Sequence, residues 1–180
     1  MIKQDTKSII ADTAEELLKT QKIEEISIQQ IVDKCNATRT TFYRHFKDKY
    51  ELMNWVYARN VDTIIMLYND GKDIRKLSIE ILKFIKSKKE YFYSITKYNA
   101  QNSYFEFVTQ YGFNYYEAAL KDSMKVKKLP QEYTLYIKGY CVGAGYLMID
   151  WIRNGCVLDT AKLAEIIFEM MPSPLRDYFS

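Results

Sequence analysis

The chain has 180 residues and a mass of 21.4 kDa, enough for one ordinary core or a small module joined to a larger one. With 48% hydrophobic residues, 27% charged, and only six Gly and three Pro, its composition excludes a disordered chain and predicts a folded helical protein. The formal charge of +3 is too small to identify a partner, so the placement of charge carries more information than its sum.

No stretch approaches the roughly 18 consecutive apolar residues a spanning helix needs, and the N-terminus alternates charged with apolar residues. The expectation is a cytoplasmic protein with no membrane partner. Cys35, Cys141 and Cys156 are odd in number and far apart, with a single histidine. Neither a disulfide framework nor a zinc site follows, and no cofactor is expected.

From about Asp5 to Gln21, Ile9, Ile10, Ala14, Leu17 and Leu18 recur at helical spacing, predicting an amphipathic first helix. Ser27 then stands where an N-cap hydroxyl belongs, before IQQIVDKC, whose Ile28, Ile31, Val32 and Cys35 share a face. Asn36 suits a left-handed turn residue, and Thr38 caps a third helix, TRTTFYRHF. On it Phe42 and Phe46 point together toward the apolar faces, leaving Arg39, Thr40, Tyr43 and Arg44 exposed. Asp48 can cap a long fourth helix that stops near Gly71. Further helices are predicted at about Ile74 to Lys88, Glu90 to Lys97, Ser103 to Asp122, Gln131 to Asn154 and Thr160 to Met171. Breaks are expected at Asn99 to Asn102, before Gln131, at Asn154 with Gly155, and at Pro172. The fold class is all-α: a three-helix head, followed by a larger helical domain.

Residues 1–57 carry nine Lys/Arg and nine Asp/Glu, yet Lys34 to Lys49 holds five bases (Lys34, Arg39, Arg44, Lys47, Lys49) against the single acid Asp48. Positive charge is focused on one segment of a neutral head, as phosphate contacts require. Two short helices joined by a tight turn, the second polar and basic outside, form a helix-turn-helix over about residues 27–46. Arg39 can fork onto guanine; Thr40 and Thr41 can offer hydroxyls and methyls to bases or phosphates. Tyr43, Arg44, His45 and Lys49 can reach phosphate oxygens. The free amides at the helix starts after Ser27, Thr38 and Asp48 offer further anion sites. His45 anchors or packs rather than catalyses, because no second histidine or paired nucleophile accompanies it. No catalytic set and no enzyme activity is expected.

These residues, Ser27, Ile31 with Val32, Asn36 to Thr38, Thr40 with Thr41, the block Phe42-Tyr43-Arg44-His45-Phe46 and Lys49-Tyr50-Glu51-Leu52, resemble the DNA-binding head of the tetracycline-repressor (TetR/AcrR) family. The resemblance covers about the first third of the chain. Lys22 and Asn36 stand where the family usually has glycine, and Tyr50 replaces its usual acid. The resemblance implies a DNA-binding domain over residues 4–64 and a dimerisation and effector domain over 72–180. It also implies a homodimer acting on double-stranded DNA at a near-palindromic operator, repression more often than activation, and control by a small-molecule or protein effector. A compact branch that includes activators of dihydroxyacetone-kinase operons is similar in length and in its C-terminal part.

For the dimer interface the run GYCVGAGYLMIDWI supplies Gly139 and Gly143, four apart, with Tyr146, Ile149 and Trp151 as apolar area. Between Tyr91 and Tyr116 lie eleven Tyr and Phe residues. They are read either as core or as an effector pocket lined by Tyr91, Tyr104, Phe107 and Tyr111. The alternative function is an interaction protein that keeps the fold, binds a protein partner and has lost DNA binding.

Overall fold

A computed structural model describes residues 5–68, 73–97 and 103–179, and among them ten helices and no strand. The expected helix stop near Gly71 and the break at Asn99 to Asn102 lie outside the described residues.

Helix α1 spans Thr6–Leu17, with the Asp5 carboxylate accepting from the Ser8 N–H at 2.7 Å. It ends earlier than its apolar pattern suggests. Leu18 belongs to its C-terminal turn, and Ile23 and Ile26 are buried from the connecting segment instead. Helix α2, Ile28–Lys34, opens on a reciprocal capping box: Ser27 Oγ accepts from the Gln30 N–H, and Gln30 Oε1 accepts from the Ser27 N–H. Asn36 adopts φ 52°, and the Ala37 N–H closes the turn on the Val32 carbonyl at 2.8 Å. Helix α3 is Arg39–His45 and helix α4 Lys49–Tyr68. Ile10, Ala14, Ile31, Val32, Phe42, Phe46 and Leu52 are all buried in one core beneath these four helices.

Helices α5 (Ile74–Ser87), α6 (Lys89–Thr96), α7 (Tyr104–Met124), α8 (Gln131–Arg153) and α9 (Thr160–Glu169) build the C-terminal domain. Helices α7 and α8 are antiparallel neighbours, since Tyr116 meets Tyr140, Gly112 faces Cys141, and Gly145 faces Thr109. A Cβ at Gly145 would come within 2.8 Å of the Thr109 methyl, so the α7–α8 approach depends on glycine there. Beyond the break at Pro172 a short helix α10 (Ser173–Arg176) forms that the sequence pattern does not announce. It returns the C-terminus to the start of α5, where the Phe179 carbonyl accepts from the Ile74 N–H at 3.4 Å.

Helix α4 belongs to both parts. Its Leu52 and Val56 lie in the head core, while the Tyr57 ring packs edge-on against Phe92, Tyr104, Phe107 and Tyr111. Such edge-to-face pairs add to the burial of the rings themselves. The outward face of α3 is therefore fixed, through α4, to the C-terminal domain.

Candidate nucleic-acid interface

Seven residues are too few to sustain a helix alone, and α3 is secured from both faces. Thr38 Oγ1 accepts from the Thr41 N–H at 3.0 Å, and the two threonine hydroxyls lie 2.9 Å apart. Inside, Phe42 is fully buried and Phe46 nearly so, with Phe46 edge-on to Trp55 at 6.0 Å. This anchoring turns Arg39, Thr40, Tyr43 and Arg44 to the exterior, all exposed. Arg39 and Tyr43, one turn apart, are paired: Nη2 donates to the Tyr43 hydroxyl at 3.4 Å, and the guanidinium sits 5.9 Å from the ring centre. Such a pair presents planar donors and an aromatic edge on one strip of helix.

The acids nearest this strip are occupied. The Asp48 carboxylate accepts from the Tyr50 and Glu51 N–H groups, both at 2.8 Å, and Glu51 accepts from the Lys47 N–H. Their charge is directed at backbone amides, leaving the Arg39, Arg44 and Lys47 cations facing outward. The α4 amides expected to serve as an anion site are thus taken by Asp48. Lys47, which the basic run of the sequence includes without giving it a contact, is exposed just beyond α3 and extends the strip.

His45 is half-buried, with its ring tilted at 6.5 Å from that of Phe46. The Asp5 carboxyl is held below its usual value chiefly by the Ser8 N–H and in small part by nearby His45. His45 stands beside Phe46 at the margin of the exposed strip.

Lys49 corrects the sequence reading. Its ammonium donates to the carbonyls of Ile23 at 2.7 Å, Ile26 at 3.0 Å and Glu24 at 3.3 Å. Three donors on three carbonyls leave none for a phosphate. Burial lowers its pKa, opposed by the Glu24 charge. Lys49 is a clip that holds the α1–α2 connection onto the start of α4.

Two family models match the chain: the tetR family of bacterial regulatory proteins over residues 10–56, and a transcriptional regulator C-terminal region over residues 72–173, more than half of its length. The chain belongs to the tetR family. Among similar proteins, a helix-turn-helix-type transcriptional regulator of Staphylococcus aureus strain bovine RF122 / ET3-1 (SAB2452) is 32% identical over 74 residues, which are 41% of this chain and 40% of that one. The transcriptional activator DhaS of the dhaKLM operon of Lactococcus lactis subsp. lactis IL1403 is 27% identical over 81 residues, 45% of this chain and 42% of that one. The matched stretch spans about two fifths of the length of these relatives. A solved structure of the dihydroxyacetone kinase operon activator DhaS superposes with a TM-score of 0.64 over 97% of this chain and 98% of that one, at 17% identity. At that identity the likeness is one of fold.

In this tetR-family fold, the residues expected at the dimer interface separate. Ile149 and Trp151 are buried within the subunit, Trp151 donating its indole N–H to the Leu158 carbonyl at 2.9 Å. Gly143 faces the Met170 methyl of the same chain, whereas Gly139 has open space where a Cβ would be and Tyr146 is 65% exposed. Leu135 and Val142, at 59% and 51% exposed, join Gly139 and Tyr146 on one face of α8, at spacings of four, three and four residues.

Of the two readings of the aromatic residues, core or effector pocket, Tyr91, Tyr104, Phe107 and Tyr111 show the packing of a core. Tyr104 is buried with no partner for its hydroxyl, Tyr91 donates to the Met53 carbonyl at 2.8 Å, and Tyr111 donates to the Asp62 carboxylate. Phe107 packs on Tyr57 and Tyr111. A small cavity of about 130 Å³ lies elsewhere, between α5, α7, α8 and α9, lined by Leu82, Gly112, Tyr116, Cys141 and Met148 among others. None of the four lines it, whereas Tyr91 lines an open cleft of about 610 Å³ beside α1. Among the described residues no helix is long and apolar enough to cross a membrane, and no group of His, Cys, Asp and Glu is arranged to hold a metal.

Proposed function

We propose that this tetR-family protein is a sequence-specific regulator of transcription that places α3 in the major groove of duplex DNA. The observation that carries the reading is the division of α3. Phe42 and Phe46 are spent on the core, while Arg39, Thr40, Tyr43 and Arg44 stand exposed beside Lys47, with the local acids turned into caps. Arg39 and Thr40, at the helix start, address base edges; Tyr43, Arg44, Lys47 and the marginal His45 address phosphates. Ser27, Thr38 and Thr41 hold the two short helices at the backbone.

The protein acts as a homodimer, for which the exposed α8 face of Leu135, Gly139, Val142 and Tyr146 is the natural seam. Two heads then address half-sites about one DNA turn apart in a near-palindromic operator. An effector, small molecule or protein, regulates it by favouring head spacings that match or mismatch the operator. Repression follows the family's commoner mode. Activation is the second reading, favoured by the similarity to DhaS, which is named an operon activator.

Binding to a DNA fragment from the protein's own upstream region, at two salt concentrations, tests this reading. The wild type is expected to shift the fragment specifically. Arg39→Ala combined with Tyr43→Ala should weaken it by about 5-fold to 150-fold, roughly 1–3 kcal/mol for a lost base contact. Retention of full affinity in that variant would remove α3 as the reading surface. Absence of any salt-dependent DNA binding, with stable capture of a protein, would favour the partner-binding alternative.

A further inference from the structure

We infer that Glu15, Arg59 and Lys88 form a charged joint that fixes the angle of the head against the C-terminal domain, making them positioning residues for two-headed DNA binding. The inference rests on the function proposed above.

Helix α4 links the two parts mainly by apolar and aromatic burial. Apolar contact is non-directional, and the directional bonds onto this spine, from Tyr91 to the Met53 carbonyl and from Tyr111 to the Asp62 carboxylate, are made to α4 and not to α1. On the α1 side, packing gives way to an open cleft of about 610 Å³ between α1 and the corner where α5 meets α6. Glu15 bridges it. One carboxylate oxygen accepts from Arg59 Nη2 at 2.5 Å, and the other accepts from the Lys88 ammonium. Arg59 also pairs through Nη1 with Asp12 at 2.6 Å, with its guanidinium 5.2 Å from the Trp55 ring centre. Lys88 lies 5.4 Å from the Phe84 ring centre and occupies the single-residue junction between α5 and α6.

Each cation has a second contact besides Glu15, and each comes from a different element. The bridge is directional, and it crosses the seam where packing is absent. Glu15 is 20% exposed and Lys88 39%, so the pair is partly screened and adds modestly to global stability. Its leverage is geometric. A change of angle at each head moves α3 relative to its partner, and the dimer must span two half-sites at fixed separation.

The test compares the full-length wild type with Lys88→Gln and Lys88→Arg on an operator and on versions with one base pair added to or removed from the spacer. Wild type and Lys88→Arg are expected to prefer the native spacing. Lys88→Gln should lose roughly threefold to tenfold of that preference, with affinity for unrelated duplex unchanged. Amide hydrogen exchange on the DNA-free proteins should rise in Lys88→Gln across residues 12–18 and 86–91, but not across α7. An unchanged spacing preference with unchanged exchange in Lys88→Gln overturns the joint, as does a Lys88→Arg variant as defective as Lys88→Gln. If the wild type binds no operator specifically, the DNA-binding reading fails, while the exchange comparison still decides whether the joint exists.

Discussion

In the head, α2 and α3 are seven residues each and start on side-chain caps at Ser27 and Thr38, with the Lys49 clip across their base. In the C-terminal domain, α8 is 23 residues long and starts with no side-chain cap, and it is held by rings such as Tyr140 on Tyr116 and by the glycine approach at Gly145. Short helices lack the length to repay nucleation, so hydrogen bonds at their ends matter most; long helices gain from continuous packing of a face. The head depends on particular polar atoms, and the C-terminal domain on shape and burial.

The widest separation of the two regions should come at alkaline pH. Burial raises the phenols of Tyr57, Tyr104, Tyr116 and Tyr140, the last to about 12, and the Cys141 thiol to about 12. The folded state thus keeps protons that the unfolded chain releases near pH 10 for tyrosine and somewhat lower for cysteine. Stability is full below those values and falls as pH rises toward 12, by roughly 1.4 kcal/mol per pH unit for each phenol. Tyrosinate absorbance followed with helical circular dichroism should show the C-terminal domain unfolding as these phenols ionise. Ionisation without loss of helix would contradict their buried role.

Next in size is Phe42→Ala, which empties the centre of the head core and should cost about 3–5 kcal/mol. Urea denaturation would show the head melting first, with the aromatic cluster around Tyr57 retained. A single coincident transition would mean that α4 couples the regions more tightly than the comparison implies.

Lys49→Met keeps the stem and removes the donors from the carbonyls of Ile23, Glu24 and Ile26. The expected loss is about 1–3 kcal/mol of stability. The slope of DNA affinity against salt should stay unchanged, whereas a phosphate contact would reduce it by about one. The smallest effect belongs to Tyr104→Phe. Its hydroxyl is buried without a partner, so removal should be neutral or stabilising by up to about 1 kcal/mol. Clear destabilisation in thermal melting would show that the hydroxyl has a partner.

What could be read without the structure follows the same division. Ser27, Asn36 and Thr38 act on backbone atoms within five residues, and local chemistry of that kind is legible in sequence. The inward turn of Phe42 and Phe46 and the outward turn of Arg39, Thr40, Tyr43 and Arg44 follow from helical periodicity, so the candidate interface was legible too. Lys49 was misread because its carbonyl partners lie 23 to 26 residues away. No spacing rule reports a lysine meeting a distant backbone oxygen.

The sequence by itself determined the all-helical class, the helix-turn-helix and its basic outer strip, because each rests on periodicity, capping and charge over a few turns. The tertiary structure alone decided that Ile149 and Trp151 face inward, that Tyr91, Tyr104, Phe107 and Tyr111 pack as a cluster, and that Glu15 meets Lys88, 73 residues away. Aromatic and charged side chains carry no address in their identity. Which partner each finds depends on how the long helices cross, and that is set by the packing of the whole chain at once.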